Sequence, residues 1–288
     1  MNNAPIGVFD SGVGGLTVAR EIMRQLPAES IVYFGDMARV PYGSKSKDTI
    51  ISFSRQIAAF LMEKNVKAIV IACNTASAFA LEAVSDMVDV PVIGVIEPGA
   101  RAANNATKSK RIGIIATEGT VKSGSYSKVL HRINPDLQVF AKACPLFVPL
   151  VEEGWLYDEI TKEVADRYLY DLLSYDIDTL VLGCTHYPLI RRTISKVTGD
   201  GITLINPAYE TAKELEKILE ADDMRADGVN VKNEYYVSDG AGYRRAVRPC
   251  GAACKRHGGD AALRRGVGAG TVRLRGIRDH HTKEVFFK

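Results

Sequence analysis

Two periodicities alternate along the chain from Ile6 to about Val237. Short runs rich in β-branched and other apolar residues are separated by longer segments in which apolar positions recur every three or four residues. The first pattern suits strands buried on both faces, and the second suits amphipathic helices. Their alternation predicts an α/β fold on parallel strands, because parallel neighbours need a crossover connection. The predicted strands are 6–9, 31–35, 68–72, 92–95, 112–116, 138–143, 179–183, 202–205 and 234–238. One intervening helix carries Leu16, Ala19, Ile22, Met23 and Leu26 on a single stripe, and another carries Ile50, Phe53, Ile57, Phe60 and Leu61.

The pattern also repeats. Ile6-Gly7-Val8-Phe9-Asp10-Ser11 is echoed by Ile112-Gly113-Ile114-Ile115-Ala116-Thr117, and Ala68-Ile69-Val70-Ile71-Ala72-Cys73 by Thr179-Leu180-Val181-Leu182-Gly183-Cys184, at offsets of 106 and 111 residues. Two similar domains with parallel-rich sheets, related by a pseudo-twofold axis with a cleft between them, are therefore expected. Glu97-Pro98-Gly99 and Asn206-Pro207 punctuate the chain where it would leave and re-enter the first unit. The expected organisation is a discontinuous first domain, 1–96 plus 207–240, a second domain, 97–206, and a tail, 241–288. Beyond Gly240, Arg, Gly and Ala dominate and neither periodicity lasts, so the tail is assigned no structure.

Composition narrows the setting. A chain of 288 residues is long enough for two cores. No apolar run approaches the roughly 18 residues that span a membrane. Met1-Asn2-Asn3-Ala4-Pro5 also lacks the basic-then-apolar order of a secretion signal, so a cytoplasmic protein without membrane association is expected. The net charge of +3 conceals a split between a tail of +9 and a body, residues 1–240, of −6. Cysteines at 73, 144, 184, 250 and 254 are odd in number and sparse, which points to free thiols rather than a disulfide framework.

Two of those thiols carry the candidate chemistry. Each repeated strand ends in a cysteine followed by polar residues and a helical run, Cys73-Asn74-Thr75 and Cys184-Thr185-His186. Ligands bind at the carboxyl ends of strands in parallel sheets, and a helix N-terminus favours both a thiolate and a carboxylate ligand. A cysteine in such a place is commonly an inert core residue; two at equivalent places in two repeats would aim into one shared cleft. Opposed acid/base groups of that kind suit inversion at carbon, one removing a proton from one face while the other returns a proton to the opposite face. Zinc binding would need clustered further ligands, and only His186 lies near, so no metal is expected. The Gly12-Val13-Gly14-Gly15 turn after Asp10-Ser11 would admit an anion to the backbone. Asp10 could handle a proton near Cys73, and His186 could do so near Cys184. Tyr42 and Ser44, in the loop Gly35-Asp36 to Pro41-Tyr42-Gly43-Ser44, could close over a small substrate.

In the order in which they stand, four motifs resemble those of the glutamate racemases of the aspartate/glutamate racemase superfamily. They are Val8-Phe9-Asp10-Ser11-Gly12-Val13-Gly14-Gly15-Leu16, Gly35-Asp36 with Pro41-Tyr42-Gly43, Ala72-Cys73-Asn74-Thr75-Ala76-Ser77 and Leu182-Gly183-Cys184-Thr185-His186-Tyr187-Pro188. The resemblance covers about Ile6 to Gly240. It implies interconversion of L- and D-glutamate without cofactor or metal, supplying D-glutamate for peptidoglycan, by a homodimer of two-domain α/β subunits. Carried over by motif, Cys73 would serve the D-enantiomer and Cys184 the L-enantiomer, assisted by Asp10 at the first and by Glu152 and His186 at the second. Asp10, Ser11, Pro41, Tyr42, Gly43, Asn74, Thr75, Thr185 and His186 would line the substrate site.

Alternatives stay open at this point. Two thiols do not name a side chain, so aspartate, another amino acid or a hydantoin could be the substrate. A dinucleotide fingerprint is incomplete, since Gly12-Val13-Gly14 lacks its third spaced glycine, and no lysine-bearing phosphate loop is present. The tail departs from the family, where a further amphipathic helix would be expected. It reads either as a shifted reading frame or as a basic arm contacting nucleic acid through phosphates, or gyrase, in an additional binding role. Cys250, Cys254 and His257 imitate part of a zinc site without an evident fourth ligand.

Overall fold

The computed structural model describes residues 1–239 together with the backbone of 271–276 and 282–286. Nine strands fall where the apolar runs predict them, with ends moved by at most one residue. In the first unit, β1 (Ile6–Asp10), β2 (Ile31–Gly35), β3 (Ala68–Ile71) and β4 (Val92–Gly94) lie parallel in the spatial order β2-β1-β3-β4. In the second, β5 (Arg111–Ala116), β6 (Gln138–Ala143), β7 (Thr179–Gly183) and β8 (Thr203–Ile205) take the order β6-β5-β7-β8. The repeat thus holds at the level of topology and of register: Ile6 faces Ala68 as Ile112 faces Thr179, and Val8 faces Val70 as Ile114 faces Val181.

Helices cover both faces of each sheet, which is why the strands are apolar on both sides rather than alternating. On the first sheet, α1 (Leu16–Gln25) and α10 (Pro207–Ala221) pack Val18, Ile22, Leu215 and Leu219 against one face. On the other face, α2 (Lys47–Glu63) and α3 (Asn74–Ser85) supply Ile57, Leu61, Ala80 and Val84. On the second sheet, α4 (Ile96–Ala106) and α6 (Ser125–Ile133) cover one face. The other is covered by α7 (Phe147–Glu152), α8 (Glu159–Leu173) and α9 (Arg191–Thr198), with the short α5 (Glu118–Ser123) following β5. Gly7 and Gly113, equivalent in the repeat, sit where the core leaves no room. A Cβ on Gly7 would lie 3.2 Å from Leu61 Cδ1, and one on Gly113 2.5 Å from Ile177 Cδ1.

Both crossings between sheets are helical. Glu97-Pro98-Gly99, read from the sequence as punctuation, forms the first turn of α4, where a proline's missing N–H costs nothing because that group has no helical partner. Asn206 caps α10, its side chain accepting from the Ala208 N–H at 3.2 Å, with Pro207 at the first helical position. The crossings touch, since a Cβ on Gly99 would lie 3.0 Å from Pro207 Cγ.

β9 (Glu234–Val237) rejoins the first sheet beside β2, with Tyr235 facing Tyr33. The tail, left unassigned in the sequence, adds two strands to that edge. β10 (Thr271–Gly276) runs parallel to β9, and β11 (Thr282–Phe286) runs antiparallel to β10. The alternation Val272-Arg273-Leu274-Arg275 is a strand period too short to stand out in an Arg- and Gly-rich stretch. The remainder of 240–288, with Cys250, Cys254 and His257, lies outside the described residues. Among the described residues no helix is long and apolar enough to cross a membrane.

Candidate active site

In each sheet the chain turns one way from the first strand and the other way after it, so a crevice opens at the carboxyl ends between β1 and β3 and between β5 and β7. Asp10 ends β1 with Ser11 just beyond it, and Cys73 follows β3 as the N-cap of α3. Thr117 follows β5 as the N-cap of α5, and Cys184 follows β7. The two thiols therefore occupy equivalent positions, each about 6% exposed, and Cys73, Cys144 and Cys184 are all unpaired.

The sites interlock through a reciprocal exchange of hydroxyls. Thr75, two residues after Cys73, reaches across to the second sheet, its Oγ1 lying 2.9 Å from Thr117 Oγ1 and 3.2 Å from Thr120 Oγ1. Thr185, next to Cys184, reaches back and donates to Asp10 Oδ1 at 3.5 Å, while Thr17 Oγ1 donates to the Thr185 carbonyl at 2.9 Å. Tyr126 on α6 donates to Asn74 Oδ1 at 2.8 Å. Two of the described glycines in the turn after Asp10 serve this closeness. A Cβ on Gly14 would lie 2.4 Å from Thr185 Oγ1 and 2.5 Å from the His186 ring, and one on Gly15 would lie 2.4 Å from Asp10 Cβ. The turn is glycine-rich because the chain's own side chains press on it.

The thiols have unlike surroundings. The Cys73 Sγ donates to Ser11 Oγ at 3.6 Å. Burial, and then the charge of Asp10, push this thiol up to about 12, against the pull of the Ala76 N–H and the Ser11 hydroxyl. Beside Cys184, His186 places Nδ1 3.7 Å from the sulfur and Nε2 3.1 Å from Glu152 Oε1 at the end of α7. Burial opposes a charge on this ring, yet its bonds to Cys184 and Glu152 and the nearby Asp10 carry it up to about 10, so it is protonated at neutral pH. Asp10 is fully buried; burial raises its carboxyl, opposed by His186, by the N–H groups of Gly12 and Gly15 and by Thr185.

The candidate residues from the sequence do not all face the thiols alike. Asp10, Ser11, Asn74, Thr75, Thr185 and His186 converge with Cys73 and Cys184, and Glu152 reaches the site through His186. Tyr42 is buried, but its hydroxyl donates to Asp36 Oδ2 at 2.5 Å. Asp36 also holds Arg39 and Ser238, so it anchors the 37–44 loop. Gly43 lies against the second unit, a Cβ there meeting Thr117 Cβ at 3.0 Å, while Pro41 is exposed. Thr117, Thr120, Thr17 and Tyr126 were not anticipated as site residues. Thr117 had a signal, since it stands in the repeat where Ser11 stands in the first unit; the others had none. Among the described residues no group of three or more His, Cys, Asp or Glu side chains could hold a metal.

Comparison with known proteins supplies the family. The chain is 51% identical over 235 residues to a glutamate racemase of Geobacter metallireducens, an alignment covering 81% of this chain and 87% of that one. Its fold matches the crystal structure of a glutamate racemase from Bacillus anthracis with a TM-score of 0.81 at 45% identity, covering 83% of this chain and 90% of the other. It also matches a glutamate racemase from Francisella tularensis in complex with D-glutamate, with a TM-score of 0.80 at 41% identity, covering 85% and 92%. The model of the Asp/Glu/Hydantoin racemase family matches residues 6–215, the span holding both thiols and both sheets' crevices, and the chain belongs to that family.

Proposed function

We propose that the chain interconverts L- and D-glutamate by moving the α-proton between two thiols, Cys73 and Cys184, without metal or cofactor. The observation that carries this is the equivalence of the two thiols, at the same register of two repeated units and interlocked across one crevice. In that frame one sulfur takes the proton from Cα on one face while the other delivers its own proton to the opposite face. The product leaves each sulfur in the protonation state its partner had, so the same device runs in reverse.

Burial and the charge of Asp10 favour the protonated form of Cys73, which suits it to deliver a proton toward D-glutamate. Cys184 then acts on L-glutamate, with the His186 ring, held by Glu152, supplying the compensating charge. The N-terminal end of α3, directly after Cys73, suits a substrate carboxylate. Ser11, Asn74, Thr75, Thr185 and the loop at Pro41, Tyr42 and Gly43 would bound the site. Glutamate is favoured over aspartate or a hydantoin because relatives matched at 45–51% identity are glutamate racemases. The domain limits given above, a homodimeric assembly, a cytoplasmic location and supply of D-glutamate to peptidoglycan belong to the same proposal.

The test follows L-glutamate in deuterium oxide by circular dichroism and NMR, with Cys73→Ala and Cys184→Ala beside the unaltered chain. Solvent deuterium should enter at Cα as optical activity decays, and each variant should fail to racemise. Full racemisation by either variant would sink the two-thiol mechanism.

A further inference from the structure

Tyr126 is used by neither thiol directly, yet it touches the neighbours of both. Its hydroxyl, in a residue only 3% exposed, donates to Asn74 Oδ1, the side chain next to Cys73. Its ring packs against Gly183, the residue before Cys184, so closely that a Cβ there would lie 3.2 Å from Tyr126 Cε2. Asn74 is 4% exposed, and with its carbonyl oxygen taken by Tyr126 its NH2 group has no hydrogen-bond partner among the described residues. That NH2 group is not among the fully buried unpartnered side-chain atoms of the described residues, which are Glu29 Oε2 and Ser54 Oγ, so it keeps contact with solvent.

We propose that Tyr126 is a positioning residue for substrate binding: its hydroxyl locks the Asn74 amide so that the NH2 group faces the crevice as a donor to the anionic substrate. The proposal rests on the two-thiol reading of the site. The two ends of an amide have the same shape and opposite polarity, so without the lock a half-turn would present a carbonyl oxygen to a carboxylate. Burial and the neighbouring Cys184 hold the phenol well above its ordinary range, so it stays a donor throughout neutral and mildly alkaline pH. The substrate needs this donor equally before and during proton transfer, and such a contact acts on KM rather than on kcat.

Tyr126→Phe keeps the ring against Gly183 and removes only the lock. KM should rise about tenfold for both enantiomers, the worth of one hydrogen bond to a charged group, with kcat changed by less than about threefold. In an Asn74→Ala background the same substitution should add less than about twofold, because its route of action is already gone. The Asn74 side-chain NH2 resonances, assigned by their loss in Asn74→Ala, should shift and broaden in Tyr126→Phe. A fall in kcat with KM unchanged, or full multiplication of the two variants' effects, would overturn the proposal. So would unaltered amide resonances. Failure of the unaltered chain to racemise glutamate would overturn the reading of the site and leave the amide resonances to decide the positioning role.

Discussion

Replacing Gly14 by alanine tests whether the two units must close as tightly as the structure shows. The added Cβ would lie 2.4 Å from Thr185 Oγ1, 2.5 Å from His186 Cε1 and 2.5 Å from His186 Nδ1. Ordinary contact between such atoms begins near ~3.5 Å, so the 184–186 segment must withdraw by roughly 1 Å. The contacts at risk are the 3.7 Å approach of His186 to Cys184 and its 3.1 Å bond to Glu152. Misplacement on that scale near reacting groups costs about a hundredfold in rate, so kcat for racemisation, followed by circular dichroism, should fall by about that factor. Overpacking should also cost about 1–3 kcal/mol of stability. For a chain of this size that lowers the melting temperature by roughly 2–4 °C per kcal/mol. Gly201→Ala is the control, since nothing lies within 4 Å of the added Cβ. A Gly14→Ala enzyme with kcat within about threefold of the unaltered protein would refute the claim that this closeness sets the catalytic geometry.

Three further outcomes follow from groups whose partners are known. Lys67 Nζ lies 2.5 Å from Glu29 Oε2 with both side chains about 1% exposed, so Lys67→Met should cost about 3–5 kcal/mol in urea unfolding, and Lys67→Met with Glu29→Met should recover part of it. A loss under about 1 kcal/mol would show that the buried carboxylate is not stranded. Burial would raise Asp178, but hydrogen bonds from Thr107, the Ser109 and Lys108 N–H groups and Thr179 outweigh it and hold the carboxyl at about 2, below its ordinary 3.8. Its stabilisation is therefore present above the unfolded value and lost as pH falls through about 2, so Asp178→Asn should weaken the protein at neutral pH and show a shallower acid-side decline. His186 is the opposite case: raised from 6.5 to about 10, its stabilisation is complete below 6.5 and lost as pH rises through about 10. In Glu152→Gln the alkaline limb of kcat/KM should move to lower pH by roughly one unit, and an unmoved limb would exclude His186 as its source.

The parallel sheets were legible because strands buried on both faces must be apolar at every position, and the repeat was legible because equivalent core positions demand like residues. Cys73 and Cys184 became a pair in the sequence for that reason alone. What could not be seen depends on contacts between distant segments. Thr75 meets Thr117 over 42 residues and Thr185 meets Asp10 over 175, and neither distance leaves a periodic trace. Glu152 carries no local sign of its place at the site because its partner is a histidine 34 residues away. The glycine turn reads in the sequence as room for an anion, and the described contacts at Gly14 and Gly15 come from Thr185, His186, Asp10 and Tyr33. Crowding by the protein itself and crowding by a ligand select the same residue.

The repeat explains why there are two thiols, but their surroundings differ, with Ser11 and Asp10 at one and His186 and Glu152 at the other. In the two-thiol mechanism proposed above, transfer needs one proton donor and one acceptor at the same moment, and unlike surroundings bias which sulfur holds the proton. That difference also meets a limit set by thermodynamics. L- and D-glutamate have equal free energies in water, so kcat/KM must be the same in both directions for any variant, however one-sided the altered residue. His186→Asn should therefore lower kcat/KM equally from either enantiomer, with its asymmetry confined to kcat and KM taken separately. A loss of kcat/KM from L-glutamate alone, measured under the same conditions in both directions, would mean that the reaction is not simple inversion of one carbon and would remove the basis for assigning the two thiols as its acid and base.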